Sequence, residues 1–288
     1  MENTRHNGRV RYEAIQSSKV EQAPLCACGC GQKVLWCLYT KTYKTYRFNH
    51  HQRRAAVQLT ARQEQIILGT MLGDGSASFV QNRRTGAKTN ARLRIRHSTK
   101  RQLEYAQWLH EALLPLSGEL RIRENRGFGL EVAEFNTLSH SFILEAANQA
   151  YRPQKSITRE YLDRLDELGF AVWWMDDGST QALATHAFTV AENQLIVDWL
   201  QDRWNITAAI SMDKRVEKPF LQFRQPNAAN VLRLVAPYVI ESLWYKFGRF
   251  MSLLWSEGRL SESAARDESS RPTTSELPET TTSLPTAS

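Results

Sequence analysis

No stretch of about 18 consecutive apolar residues occurs anywhere in the 288-residue chain, so no segment is long enough to span a bilayer. No basic amphipathic helix stands alone either, which leaves little for a membrane surface to hold. The start, Met1-Glu2-Asn3-Thr4-Arg5-His6, lacks the apolar segment of a secretion signal. An intracellular protein is expected, whether in cytoplasm, nucleoid or organelle. Cysteine is scarce, and all four residues (Cys26, Cys28, Cys30 and Cys37) lie within 12 positions. A disulfide scaffold would spread them through the fold, so their crowding points to metal in a reducing compartment. Aromatic residues are missing altogether from 261–288, a Ser/Thr/Pro/Glu-rich stretch that cannot bury enough apolar surface to offset its ordering entropy. Disorder is expected there.

What the chain has in excess is positive charge. The formal net charge is +7, but 261–288 holds five acids and two bases, which leaves +10 on residues 1–260. A surplus of that size favours a polyanionic partner, and with membranes set aside that partner is nucleic acid. The organisation reads as a polar arm at 1–23, a Cys/His segment at 24–54, a strongly patterned body at 60–260, and the tail.

The body contains a weak internal repeat. Gln65-Ile-Ile-Leu-Gly69-Thr-Met-Leu-Gly73-Asp74-Gly75-Ser76 aligns, 103 residues later, with Leu168-Gly169-Phe-Ala-Val172-Trp-Trp-Met-Asp176-Asp177-Gly178-Ser179. Each copy is an apolar helical run that stops at Asp-Gly-Ser, and Thr60 with Gln63 supplies a capping box for the first. Behind each run come strand-like stretches and helices. Ala91–His97 alternates, Leu120–Arg123 can pair with Leu130–Phe135, and Leu103, Ala106, Leu109, Leu113 and Leu116 recur at helical spacing. In the second half Ala187–Val190, Ala208–Met212 and Phe220–Arg224 read as strands, and Gln194–Trp204 and Ala228–Val235 as helices. Each half, 60–157 and 158–260, thus reads as αββαββα, an α+β architecture.

The acids occupy an electrostatically poor place. With Gly75 and Gly178 as residues just past the helix ends, Asp74 and Asp177 fall in last turns, where the helix dipole disfavours an anion by about 0.3–1 kcal/mol. A misplacement made twice, at equivalent points of a repeat, asks for a compensating cation. Side-by-side packing through Gly69 and Gly73 would bring both carboxylates to one divalent-metal cluster, an arrangement suited to phosphodiester hydrolysis. Asp176, whose counterpart is Gly73, is expected to have a supporting or solvated role.

Gly69-Thr-Met-Leu-Gly-Asp-Gly75 and Val172-Trp-Trp-Met-Asp-Asp-Gly178 resemble the two LAGLIDADG helices of monomeric homing endonucleases. Arg96-His-Ser, Tyr105-Ala-Gln-Trp108 and the segment from Pro237 to Phe247 extend the likeness over about 60–260. The resemblance implies a single-chain saddle of two pseudo-symmetric halves that binds double-stranded DNA. It also implies Mg²⁺ held by Asp74 and Asp177, and a double-strand break with short 3′ overhangs. Lys155 and Lys246 match the basic residues that such halves place near the scissile phosphate. Trp173 and Trp174 depart from the pattern, being bulky where tight helix crossing favours small residues. An intron RNA maturase and a non-cleaving DNA-binding regulator are the alternatives on the same scaffold.

Arg92, Arg94 and Arg96 alternate with Leu93 and Ile95, which in a strand puts three guanidiniums on one face. Arg121 and Arg123 repeat the pattern, and Arg83, Arg84 and Lys88 sit in a hairpin loop over the flank of the groove. The second half is thinner in charge, with Lys214, Arg215, Lys218, Gln222, Arg224 and Gln225 as its DNA-binding candidates. A non-palindromic site is expected. Finally, Cys26, Cys28 and Cys30 with His50 form a candidate structural Zn²⁺ set, with His51 or Cys37 as substitutes. Arg53 and Arg54 follow directly, so this module would extend the DNA footprint.

Overall fold

Thr60 opens the body of the protein as the sequence predicts. Its hydroxyl accepts from the Gln63 amide and the Gln63 side chain accepts from the Thr60 amide, both at 3.2 Å, launching helix α1 (Ala61–Leu72). The Gln63 side chain also donates to the carbonyls of Ala112 and Leu114, tying this start to the end of a later helix. This computed structural model describes residues 23–26, 32–37, 42–44, 57–81, 85–125, 130–151 and 154–260.

In the first half α1 is followed by β3 (Ser76–Gln81), β4 (Lys88–Ser98), α2 (Thr99–Ala112), β5 (Arg121–Asn125), β6 (Leu130–Asn136) and α3 (Ser141–Ala150), and the short α4 (Arg159–Asp163) leads into the second half. The strands form one antiparallel sheet in the order β3-β4-β6-β5. β4 shows why this sheet has two unlike faces. Ala91, Leu93, Ile95 and His97 are buried under the helices, while Arg92, Arg94 and Arg96 point outward, as period-two alternation requires. Ahead of this half, β1 (Trp36–Cys37) and β2 (Thr42–Tyr43) pair as a small ribbon.

The second half runs α5 (Glu167–Asp177), β7 (Ala182–Leu183), α6 (Val190–Trp204), β8 (Ala209–Asp213), β9 (Lys218–Gln222), α7 (Asn227–Val235), two 3₁₀ segments (Ala236–Tyr238 and Glu241–Phe250) and α8 (Met251–Ser256). Its sheet is smaller, in the order β7-β9-β8. The strand expected over Ala187–Val190 does not form. Thr189 and Glu192 make a second capping box there and start α6 instead, so local helix-start chemistry overrides a short apolar run. The Glu192 carboxylate also accepts from the Ile157 amide at 3.0 Å, joining the two halves.

α1 and α5 cross at the centre, and the crossing is made by absent side chains. A Cβ on Gly69 would lie 2.2 Å from the Gly169 carbonyl oxygen, and one on Gly73 would lie 2.2 Å from Oδ2 of Asp176. The facing residues of α5 are therefore Gly169, Val172 and Asp176, spaced by three and four along one helix stripe. Trp173 and Trp174 point away from this seam. Trp174 stacks on Phe247 with centroids 5.5 Å apart, and Trp173 meets Phe170 and Phe188 edge-on. Because α5 is buried from Leu168 to Asp176, it can carry bulky rings on its other faces without disturbing the contact. Gln65 completes the crossing at its far end, donating to the Arg164 carbonyl and accepting from the Asp166 amide, each at 2.9 Å.

Gly69→Val should be strongly destabilising, because the added carbons meet backbone that cannot yield. A loss of about 2 kcal/mol or more is expected, read as a drop of several degrees in Tm by thermal denaturation, while Gly86→Ala in the open β3–β4 turn should cost less.

Candidate functional site

The crossing delivers both acidic motifs to one end of the helix pair. Gly73, not Gly75, is the C-cap of α1, and its amide bonds back to the Gly69 carbonyl at 3.1 Å. Asp74 therefore lies just beyond the helix with its side chain 43% exposed, whereas Asp177 is the last residue of α5. The glycines after the acids serve close approach: a Cβ on Gly178 would strike the Trp174 ring and one on Gly75 the Thr70 carbonyl oxygen.

Asp176 is not solvated. Its carboxylate is fully buried, and Oδ2 accepts the Asp74 amide at 2.9 Å across the helix seam. Burial raises its pKa well above the usual carboxylate range, and the charges of Asp74 and Asp177 push the same way. Asp177 is likewise held up to about 7, first by burial and then by the Asp74 charge, although the Trp173 indole donates to its Oδ2 at 3.2 Å. Three carboxylates in mutual electrostatic reach, Asp176 buried, Asp177 half-buried and Asp74 exposed, form an anionic cluster of the kind that divalent cations satisfy.

His97 completes the cluster. It stands at an inward position of β4, fully buried, with Nδ1 3.5 Å from Asp74 Oδ2 and Nε2 3.9 Å from Asp176 Oδ1. Tyr105 packs on its ring at 4.9 Å. Burial lowers the His97 pKa, Asp74 opposes this, and Lys246 adds to it. The alternation of β4 carried the signal: every other inward residue of that run is apolar, so a histidine there has a polar task.

Lys155 and Lys246 hold equivalent positions at the two helix ends. Lys155 Nζ donates to the carbonyls of Leu72 and Gly73 at 3.1 and 2.6 Å, and Lys246 Nζ to those of Met175 and Asp176. These are matching carbonyls of the repeat. Each ammonium thus caps a helix whose terminal carbonyls lack partners and whose dipole favours a cation. Much of the positive charge that the misplaced acids required comes from these lysines. Burial lowers both lysine pKa values, while Asp74, Asp176 and Asp177 each resist that shift.

Arg92, Arg94, Arg96, Arg121 and Arg123 all lie exposed on the outer face of the first sheet. Not all are equally available. Glu134 of β6 binds Arg94 Nη2 at 2.7 Å and Arg123 Nε at 3.3 Å, and the Arg94 hydrogen bond holds its own pKa below the usual value. Arg121 pairs with Glu119 at 2.6 Å. Arg92 and Arg96 have no carboxylate within ion-pair distance among the described residues, though the Arg96 charge also helps hold the Glu134 pKa down. Lys88 lies over the Phe79 ring at 3.7 Å. In the second half, Lys214 and Arg215 occupy the β8–β9 turn, Arg215 pairing with Asp213 at 3.2 Å. Lys218 and Gln222 are on β9, with Arg224 and Gln225 just after it. Arg83 and Arg84 lie outside the described residues.

The profile of the LAGLIDADG DNA endonuclease family matches residues 64–231, more than half of the chain. The chain belongs to that family. A protein RecA of Mycobacterium shimoidei is 31% identical over 205 residues, covering 65% of this chain and 47% of that protein. The cytochrome b mRNA maturase bI2 of Saccharomyces cerevisiae is 25% identical over 205 residues, again covering 65% and 47%. The chain thus spans about half the length of these curated relatives. The homing endonuclease I-WcaI, solved bound to its DNA recognition sequence, superposes with a TM-score of 0.56 at 20% identity, covering 67% of this chain and 89% of that one. The α+β, two-half LAGLIDADG architecture expected from the repeat is therefore the observed one.

For the candidate zinc set, Cys26 is buried and Cys37 half-buried, and Cys26 donates its amide to the Gln32 carbonyl at 2.7 Å. Cys28, Cys30, His50 and His51 lie outside the described residues. Among those described, no helix of this LAGLIDADG protein is long and apolar enough to cross a membrane.

The raised pKa of Asp177 has a measurable consequence for the metal-free protein. Its folded value, about 7, exceeds the unfolded 3.8, so the folded chain holds this proton more tightly. The resulting stabilisation is complete below the unfolded value and is lost as pH rises through about 7. Denaturant titrations in a chelator at several pH values should show stability falling across that window, and Asp177→Asn should flatten the slope.

Proposed function

We propose that this LAGLIDADG protein is a monomeric, site-specific endonuclease of the homing type that binds double-stranded DNA and leaves short 3′ overhangs. The observation that carries the reading is the convergence of Asp74, Asp176 and Asp177 at one end of a glycine-mediated helix crossing, beside a sheet with an arginine-rich outer face. Asp74 and Asp177 would hold divalent cations, Mg²⁺ by preference since carboxylate oxygens dominate the set. The fit is supported by buried Asp176 and half-buried Asp177, whose ionisation is suppressed first by burial and then by the neighbouring acids. Bound divalent ions supply activation of water and stabilisation of the leaving oxygen in phosphodiester hydrolysis.

The chain's own residues prepare that chemistry. Asp176 fixes the Asp74 backbone by accepting a hydrogen bond from the Asp74 amide across the seam. Lys155 and Lys246 keep positive charge at both helix ends, where it would meet the phosphorane charge of the reacting strand. Arg92 and Arg96 are suited to phosphates or guanine edges, with Arg94, Arg121 and Arg123 beside them. Arg83, Arg84, Lys88, Lys214, Arg215, Gln222 and Arg224 would extend the contact over both halves. Zn²⁺ held by Cys26, Cys28, Cys30 and His50 would stabilise the N-terminal segment, and an intracellular location fits both metal and substrate.

A randomised duplex library incubated with Mg²⁺ should yield a cleaved subset sharing one long, non-palindromic sequence. Asp74→Asn and Asp177→Asn should each lower cleavage of that site on the order of 10²-fold or more. Undiminished cleavage by the double variant would sink the proposed mechanism. Purified protein should also hold about one equivalent of Zn²⁺ by elemental analysis, and Cys28→Ser with Cys30→Ser should remove it.

The similarity to the yeast mRNA maturase favours a second reading, in which the same basic surface assists intron RNA folding. Splicing of a cognate intron by purified protein, retained in the Asp74→Asn, Asp177→Asn double variant, would separate that role from cleavage.

A further inference from the structure

Beside the two helix-end acids lies a set of buried atoms that protein–protein hydrogen bonding leaves unsatisfied. Both ring nitrogens of His97 and Oδ1 of Asp176 have no hydrogen-bond partner among the described residues. Gln102 faces His97 and the Tyr105 hydroxyl faces Asp176 as hydrogen-bonding neighbours whose geometry falls short of a full bond, and the Tyr105 hydroxyl also donates to the Val172 carbonyl at 3.4 Å. Buried polar atoms are rarely left unpaired, and an imidazole set between two carboxylates, Nδ1 toward Asp74 and Nε2 toward Asp176, calls for a bound species at one of them.

The spacing suits an ion. Asp74, His97 and Asp176 can each present one ligand atom such that all three lie within 4.8 Å of one another. The nitrogen–oxygen separations of 3.5 and 3.9 Å are too long for hydrogen bonds. They involve different ring nitrogens, so one ion would take either Nδ1 or Nε2 together with the two carboxylates, at ligand separations of up to 4.8 Å that must close on binding. Access is available through Asp74, whose side chain is exposed while the other two are sealed.

The donor chemistry selects among cations. Mg²⁺ prefers oxygen ligands and retained water, whereas an imidazole between carboxylates suits Mn²⁺, Fe²⁺, Co²⁺ or Zn²⁺. We infer that Asp74, His97 and Asp176 form a metal site of their own, taking a divalent transition ion through a His97 nitrogen and the two carboxylates. It rests on the nuclease reading only in that Asp74 would serve both this site and the oxygen-ligand site shared with Asp177.

The test uses the full chain, stripped of metal, without DNA, and Mn²⁺ chloride as the probe, since thiolates of the cysteine segment bind Mn²⁺ poorly. Pulsed electron paramagnetic resonance of the Mn²⁺-loaded protein should show the nitrogen modulation of a coordinated imidazole. That modulation should vanish in His97→Gln, with Mn²⁺ affinity about tenfold weaker or more, and persist in Asp177→Asn. Absence of nitrogen modulation in the unaltered protein would overturn the inference without recourse to any variant. So would its survival in His97→Gln, or its loss in Asp177→Asn. Library cleavage in Mg²⁺ is scored separately, so the nuclease reading and this site can fail independently.

Discussion

The closeness of α1 and α5 is the constraint from which the rest of the site follows. At Gly69, Gly73 and Gly169 the helices approach to where a single methyl group would collide with the facing helix or its side chains. Packing of that kind admits little slippage, because sliding by a turn would drive Val172 or Asp176 into a larger residue. It fixes the relative height of the two helix ends, and with it the separation of acids that are 103 residues apart in the chain. The rings of Trp173 and Trp174 belong to the same arrangement. By filling space on the outer faces of a helix buried on all sides, they leave its small-residue stripe for the partner.

Bringing acids together at helix C-termini is costly, and the protein offsets the cost symmetrically. Lys155 and Lys246 reach matching carbonyls at the two ends, so each half supplies its own helix with a cation. They do not fully neutralise the cluster. Asp176 and Asp177 remain hard to ionise, first because burial strips them of water and then because the neighbouring acids repel them.

The two halves are alike in plan and unlike in surface. The first sheet carries five arginines on its outer face, two of them held by Glu134 and one by Glu119. The second sheet is narrower, and Arg215 of its turn is paired with Asp213. An acid set among arginines lowers the net charge of the face, yet it also fixes guanidinium orientation, which matters more for reading base edges than for holding phosphate.

What the sequence determined by itself was local or repetitive. The capping box at Thr60, the alternation of Arg92, Arg94 and Arg96, and two apolar runs ending in Asp-Gly-Ser are legible because helix and strand periodicities and cap chemistry act over a few residues. Repetition of one motif was enough to identify the helix pair and the family. The same local signals were also present at Thr189 and Glu192, where the capping box outweighed an apolar run that reads as a strand. Only the tertiary structure decided which atoms meet across the seam: that Asp176 is buried against the Asp74 amide, that His97 faces two carboxylates, and that Lys155 and Lys246 cap matching helices. Those contacts join residues up to about a hundred positions apart, and their distances are set by glycine-limited packing, which no periodicity along the chain encodes.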